Sequence, residues 1–439
     1  MAVPRTYHVV TLGCPKNDVD SEHLERLLSG GELLPVEDPY DADAVIVNTC
    51  GFIEQSQEQS YQAVDELARD KRDGQKLIVA GCLTQLYAGE LRARAPGVDH
   101  VFGVGQWHDV ARLLSVDVDA IYDIPESTPH LDGPSAYLKI SDGCDAPCTF
   151  CVIPKIKGGL RSAPAGMLIK EAQRLSGAGA RELVLVAQDT TAWGEDLGQG
   201  FAAGLPGLLE MLSEAVGPDV WLRLMYAYPS RVTPELAETM ARLPNVLHYL
   251  DVPLQHGAHS TLRRMKRPAN VERVMKNIET MRDAMPDLVL RTSFITGFPG
   301  ETEAEFQELM DFATAIRFDH VGVFTYSRQQ WTGADDLAGH LPDEVKHARR
   351  DRLMELQAGI ARERASRFVG HDLEMLVEGA GEDEDGNPVI AGRTYREAPE
   401  VDGLVFAAGH AEPGSRVPVR IEASGDYDLF GTVLAQPVR

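Results

Sequence analysis

AYLKISDGCDAPCTFC, residues 136–151, sets a short alternating apolar run directly ahead of three cysteines, Cys144, Cys148 and Cys151. Three thiols within eight residues, just past a strand, make a loop whose backbone and sulfurs can wrap one face of a metal cluster. Deprotonated cysteine sulfur is the ligand such a cluster needs. Three thiolates hold a cubane iron–sulfur cluster by three irons and leave the fourth open for chemistry. Zinc is the competing reading, but a structural zinc site wants a fourth closing ligand, usually in a second short-spaced pair, which this stretch does not supply. The spacing favours iron–sulfur and leaves zinc open.

Outward from this stretch, AYLKI (136–140) is the first of about six strand-like runs. The others are ELVLVA (182–187), WLRLM (221–225), LHYLDV (247–252), LVLRTS (288–293) and HVGVFTY (320–326), with amphipathic segments between them. This alternation predicts an α/β unit, a parallel sheet with helices outside, and six strands fit an open (β/α) barrel better than a closed eight-stranded one. Upstream, YHVVTLG, AVIVNT and KLIVAG alternate with helical stretches from Tyr7 to about Pro96, the signature of an amino-terminal open parallel α/β sheet. The remaining cysteines, Cys14, Cys50 and Cys82, come directly after those three runs. Ligands of open parallel sheets sit beyond the carboxyl ends of the strands, so this dispersed trio should converge on one edge.

Downstream, Leu341 to Val369 reads as one long charged helix opening on Pro342-Asp343-Glu344. After Gly370, short β-type runs divided by Gly, Asp and Pro predict a small antiparallel β-barrel of about five strands. The expected division is 1–115, a linker at 116–129, a core at 130–367 and the barrel at 370–439.

The chain has 44% apolar and 25% charged residues, ordinary for a globular protein of two or three domains. The opening MAVPRTYHVVTLG has no long apolar core or small-residue cleavage site, and no stretch approaches the ~18 apolar residues of a membrane span. A cytoplasmic protein with no membrane partner is expected, in which unstapled thiols read as metal ligands or catalytic groups before disulfides. A balance of 42 basic against 67 acidic residues, net -25, repels polyphosphate. Bare nucleic acid is a poor main partner on that ground; a basic protein or a small molecule fits better.

The Cys-x-x-x-Cys-x-x-Cys spacing, with Phe150 before its last cysteine and at the end of the first barrel strand, resembles the radical S-adenosylmethionine enzymes. Thr296-Gly-Phe-Pro-Gly-Glu301 strengthens the likeness. Three dispersed cysteines, a radical core and a TRAM-like barrel together resemble the methylthiotransferases. TLGCPKNDVDSE, NTCGFIEQSQEQS, AGCLTQLY, VLVAQDTTAWGEDL, WLRLMYAYP, DVPLQHG and FITGFPGETEAEF resemble the branch acting on ribosomal protein S twelve, over nearly the whole chain.

This resemblance implies two 4Fe-4S clusters. Cys144, Cys148 and Cys151 would hold the one whose open iron chelates S-adenosyl-L-methionine and cleaves it to methionine and a 5'-deoxyadenosyl radical. Cys14, Cys50 and Cys82 would hold an auxiliary cluster that provides or carries sulfur. A methylthio group would then go onto the β-carbon of an aspartate of ribosomal protein S twelve, free or in the small subunit. An unidentified electron donor and nearby ribosomal RNA complete the implied partners.

Phe150, Gly297 and Pro299 are expected at the cofactor by the same resemblance. Gln188, Arg223, Gln255 and Arg291 lie at or near carboxyl ends of predicted strands, where barrel enzymes keep their sites; otherwise they cap strands or pair with acids. His256 has the same two readings. Leu262-Arg-Arg-Met-Lys-Arg267 is either a solvated helix face or a contact for ribosomal RNA or substrate. Lys157 and Ala163 stand where the family has arginines, and Arg328-Gln-Gln-Trp-Thr332 leaves the family pattern.

Two other functions compete. A sister enzyme methylthiolates an adenosine of transfer RNA, but an RNA-binding barrel should carry basic residues and exposed aromatics. From Phe368 onward the basic residues are only Arg393, Arg396, Arg416, Arg420 and Arg439. A non-enzymatic iron–sulfur carrier or scaffold would have no use for the barrel strands and the GFPGE segment.

Overall fold

The computed structural model describes residues 5–31, 33–116, 131, 133–198 and 204–434. Three sheets follow one another along the chain. The first has five strands, β1 Thr6–Thr11, β2 Leu34–Pro35, β3 Ala44–Thr49, β4 Lys76–Gly81 and β5 His100–Val101, all parallel in the order β2-β1-β3-β4-β5. Helices α1 Pro15–Ser29, α2 Glu54–Arg69, α3 Cys82–Arg94 and α4 Trp107–Leu113 cover both faces. Successive side chains of a strand point to opposite faces, so Ala44 and Ile46 meet α1 and α4 while Val45 and Val47 meet α2 and α3. A strand covered on both sides is apolar throughout, which is why AVIV shows no alternation.

The second sheet contains β6 Ser135–Lys139, β9 Glu182–Val186, β10 Trp221–Leu224, β11 Val246–Asp251, β12 Val289–Thr296 and β13 His320–Thr325. Its parallel strands run in the order β13-β12-β11-β10-β9-β6, and β6 and β13 are edges, as in an open barrel. A two-stranded ribbon, β7 Ser141–Asp142 with β8 Arg161–Ser162, brackets the compact cysteine loop. The long charged helix is Asp343–Ser366. The linker expected at 116–129 lies, past Val116, outside the described residues.

The third sheet is a closed five-stranded barrel of β14 Asp372–Glu382, β15 Pro388–Arg393, β16 Val405–Ala408, β17 Arg416–Ser424 and β18 Leu429–Val433. It is antiparallel except for β16 and β18, a parallel pair that helps close it. The barrel packs against the inner face of the open sheet: Val184, Val186, Trp221 and Tyr249 share one core with Met375, Val377, Ile390 and Leu429. Below that core, Glu182 accepts from Arg223 Nε and from Arg393 Nη, both at 2.6 Å. No helix among the described residues is long and apolar enough to cross a membrane.

Candidate active site

Each dispersed cysteine stands where a strand hands over to a helix. Cys14 is the N-cap of α1, Cys82 is the first residue of α3, and Cys50 follows β3 with α2 starting at Glu54. The positive ends of these helices favour negative sulfur. Gly13, at φ +115°, lies so close to Cys50 that an added Cβ would sit 2.8 Å from its Cβ and 3.0 Å from its Sγ. Asn17 ties the loops together, donating to the carbonyls of Leu12 (2.6 Å) and Thr49 (3.3 Å) while its Oδ1 lies 3.9 Å from Cys82 Sγ. The Cys82 thiol is within electrostatic reach of Cys50 and Cys14. Burial pushes the Cys50 thiol up and the Cys82 thiol up to about 12, so ligation to iron has to displace their protons.

In the compact loop, Gly143 at φ +72° presses on Gly159, whose carbonyl would lie 2.1 Å from an added Cβ. Cys144, Cys148 and Cys151 line a cavity of about 360 Å³ with Pro154, Lys155 and Trp331. Burial raises the thiols of Cys144 and Cys151, the latter to about 12. Arg267 donates toward Cys148 Sγ at 3.6 Å, with its guanidinium 4.2 Å from the centre of the Tyr228 ring. Phe150 packs on an apolar cluster of Met265, Phe298 and Tyr326.

The two trios share a wall. Cys82 packs on Val152 and Ile156, which follow Cys151 in the chain. Lys157 is buried and pairs with Asp20 of α1 at 2.9 Å and Asp142 at 3.4 Å, and Lys139 also pairs with Asp20. Gln57 of α2 donates to Gln329 at 2.8 Å, and the Ala334 N–H donates to the Thr149 carbonyl at 2.8 Å. The Arg328–Thr332 segment that leaves the family pattern therefore links the first sheet to the cysteine loop. Lys16 reaches across as well, its ammonium 3.4 Å from the Ala187 carbonyl and 3.5 Å from the centre of the Tyr226 ring.

All-sulfur donor sets, none of them in a disulfide, and a glycine that seats one thiol suit iron–sulfur clusters. Gln188 Oε1, buried and without a hydrogen-bond partner, adds an unsatisfied acceptor beside Ala187. Among the described residues, no three His, Cys, Asp or Glu side chains close together as they would around one metal ion.

The other residues expected at the cofactor divide. Gln188 and Gln255 lie past the carboxyl ends of β9 and β11, with Gln255 at φ +75° bridging to Phe294, whereas Arg291 is the third residue of β12 and so sits toward that strand's amino end, contrary to the sequence expectation. Arg291 pairs with Asp251 at 3.1 Å and Asp402 at 3.4 Å. Gly297 and Pro299 belong to a turn held by Glu301, whose carboxylate accepts from the Gly297 N–H (2.9 Å), the Phe298 N–H (3.3 Å) and Arg349 (2.7 Å). Arg223 requires correction. It is fully buried on the barrel-facing side of the sheet, over the Tyr249 ring and bonded to Glu182 and to the carbonyls of Thr394 (3.2 Å) and Tyr395 (2.8 Å), so its guanidinium belongs to the seam with the barrel.

His256 is structural: Nδ1 accepts from the Ala258 N–H at 2.9 Å and Nε2 lies 3.4 Å from Glu301. The basic run 262–267 divides: Arg263 and Lys266 are exposed, whereas Arg264 pairs with Glu305 at 2.8 Å, Met265 is buried and Arg267 points at Cys148. Ala163 takes part through its backbone, its carbonyl accepting from Trp193 Nε1 at 3.0 Å. Sequence reasoning missed Lys16, Tyr226 and Tyr228; the available signal was that Lys16 sits two positions past Cys14.

Residues 6–103 match an uncharacterized protein family, UPF0004, residues 138–313 the radical SAM superfamily, and residues 369–434 the TRAM domain. Over 98% of its length the chain is 42% identical to the ribosomal protein uS12 methylthiotransferase RimO of Herpetosiphon aurantiacus, 100% of which is covered. It is 44% identical over 99% of its length to the protein of that name from Anaeromyxobacter sp. (strain Fw109-5), 94% of which is covered. Among solved structures, the radical S-adenosylmethionine methyltransferase TsrM of Kitasatospora setae, with cobalamin and a [4Fe-4S] cluster bound, shares the fold: TM-score 0.56 at 13% identity, covering 75% of this chain and 77% of that one.

Proposed function

Because the chain belongs to the family of ribosomal protein uS12 methylthiotransferases, we propose that it places a methylthio group on the β-carbon of an aspartate of uS12, using S-adenosylmethionine and two 4Fe-4S clusters. The observation that carries this reading is the shared wall, where Cys82 of one trio packs on Val152 and Ile156 beside the other. Cys144, Cys148 and Cys151 would hold the cluster that cleaves the cofactor, and Cys14, Cys50 and Cys82 the one that handles sulfur. Bound there, the clusters supply one-electron cleavage of S-adenosylmethionine and a transferable sulfur.

The chain's own residues position and shield. Arg267 sets a cation beside Cys148, and the Phe150 cluster backs the loop with apolar surface that keeps water from a reactive site. Gly297, Pro299, Gln188, Gln255 and Arg291 are assigned to the cofactor side of the cavity. An external electron donor is required, and ribosomal RNA lies near if the substrate is taken in the small subunit.

The barrel supports a protein substrate over RNA. Arg393 and Arg396 are fully buried, Arg416 pairs with Asp219 and Glu374 at 3.2 Å, and Arg420 pairs with Asp372. Exposed aromatics are present, with Phe406 stacked on Phe430 at 5.9 Å, but the free cations an RNA-binding surface needs are missing from its described residues. Mass spectrometry of uS12 from cells with and without this gene tests the reading: a methylthio-aspartate should appear only with the gene. An unmodified aspartate in both would overturn it.

A further inference from the structure

We propose that Lys16 receives the side-chain carboxylate of the target aspartate and so selects an acidic side chain as substrate, an inference that rests on the uS12 reading above. Lys16 lies on the first turn of α1, two residues past Cys14, and crosses the gap between the first sheet and the open barrel. Its ammonium touches a carbonyl, Ala187 O at 3.4 Å, and a π face, Tyr226 at 3.5 Å. Both attract a cation and neither neutralises it. Tyr226 is held in that position at φ +60°, its N–H donating to Asp251 at 3.2 Å.

Most other cations around the trios already face acids. Lys139 and Lys157 face Asp20 and Asp142, Arg231 faces Asp189 at 3.0 Å and Glu195 at 2.8 Å, and Arg291 faces Asp251 and Asp402. Among the described residues Lys16 has no carboxylate oxygen within 4.0 Å. Arg267 and the exposed Lys155 have none either, but both stand by the compact trio, Arg267 aimed at Cys148 and Lys155 on the cavity wall. Lys16 is therefore the cation beside the sulfur-handling trio that no carboxylate touches, Asp251 and Asp142 acting on it only from beyond contact. A carboxylate brought out of water needs a cation to meet it. The flexible lysine stem carries three donors, so one N–H can turn to the substrate while another keeps Ala187. An asparagine or a nucleobase, being neutral, gains less from that charge than a carboxylate does.

The test uses the full-length protein with its clusters loaded and two peptides spanning the target site of uS12, one with the aspartate and one with asparagine. Wild type should bind the aspartate peptide about 30-fold more tightly, and Lys16→Gln should bring that ratio close to one while Lys16→Arg restores part of it. An undiminished ratio in Lys16→Gln would overturn the proposal. Should Lys16→Gln not fold, carbodiimide coupling of wild type to uS12 gives an independent readout. An amide between Lys16 and the target aspartate is expected; coupling at other lysines with none at Lys16 would overturn the proposal. If wild type leaves uS12 unmodified, the functional reading fails and this proposal with it; if uS12 is modified but the ratio is indifferent to Lys16, only this proposal fails.

Discussion

Cys50 and Cys148 carry the same thiol in different settings, the first buried behind Gly13 and the second beside Arg267 and a cavity. Replacing Cys148 with Ala should abolish formation of 5'-deoxyadenosine from S-adenosylmethionine under anaerobic reduction. Replacing Cys50 with Ala should leave that cleavage in place and abolish methylthio transfer; a Cys50→Ala protein that still modifies uS12 would refute the division. Gly13→Ala should resemble Cys50→Ala. Its Cβ would meet Cys50 at 2.8 Å, and an L side chain at φ +115° adds strain of about 1–3 kcal/mol. Iron per chain should drop by roughly half with the cofactor-cleaving signal retained, as read by metal analysis and electron paramagnetic resonance. The cysteines were legible in the sequence because ligand spacing and strand-end placement are local patterns. Lys16 and Arg267 were not, because what distinguishes them is the lack of a carboxylate in direct contact, which only packing reveals.

At the scale of elements, the strands were legible because apolar runs alternate with amphipathic ones. What resisted was the pairing. Nothing local in VFAA and LFGTV says that β16 and β18 run parallel and help close the barrel. The turn 297–301 is a similar case: GFPGE announces a turn, but its stability comes from Arg349, some fifty positions on, and from His256. Glu301→Gln would leave the buried Arg349 guanidinium facing a neutral amide and weaken the clamp on the Gly297 and Phe298 N–H groups. A loss of about 3 kcal/mol is expected for a broken buried pair. If Gly297 and Pro299 contact the cofactor, KM for S-adenosylmethionine should rise with smaller change in kcat. A lowered Tm with unaltered KM would place this turn outside the cofactor site.

The whole molecule depends on a seam that the sequence does not announce. Glu182, Arg223 and Arg393 come from two sheets, and Arg393 lies 211 positions from Glu182. Arg223, near a strand end, read as a site residue because its neighbours in sequence do not include the Thr394 and Tyr395 carbonyls it binds. Burial alone would push the Glu182 carboxyl up. The charges of Arg393 and Arg223, with hydrogen bonds from Arg393 and Ser135, more than offset that and hold it down to about 2. A carboxyl depressed on folding stabilises the native state fully above its unfolded value of about 4.3, and that contribution is lost as pH falls toward the folded value. The barrel should therefore loosen from the open sheet between about pH 4 and pH 2. Glu182→Gln should produce the loosening at neutral pH, because two buried guanidiniums then share no anion there, at a cost of about 3–5 kcal/mol. Hydrogen exchange resolves the outcome: amides of β14, β15 and β17 should lose protection in Glu182→Gln at pH 7 while β3 and β4 keep theirs. Equal protection of the barrel in mutant and wild type would mean that the shared apolar core of Val184, Trp221, Met375 and Ile390 holds the two sheets together without the ion pairs.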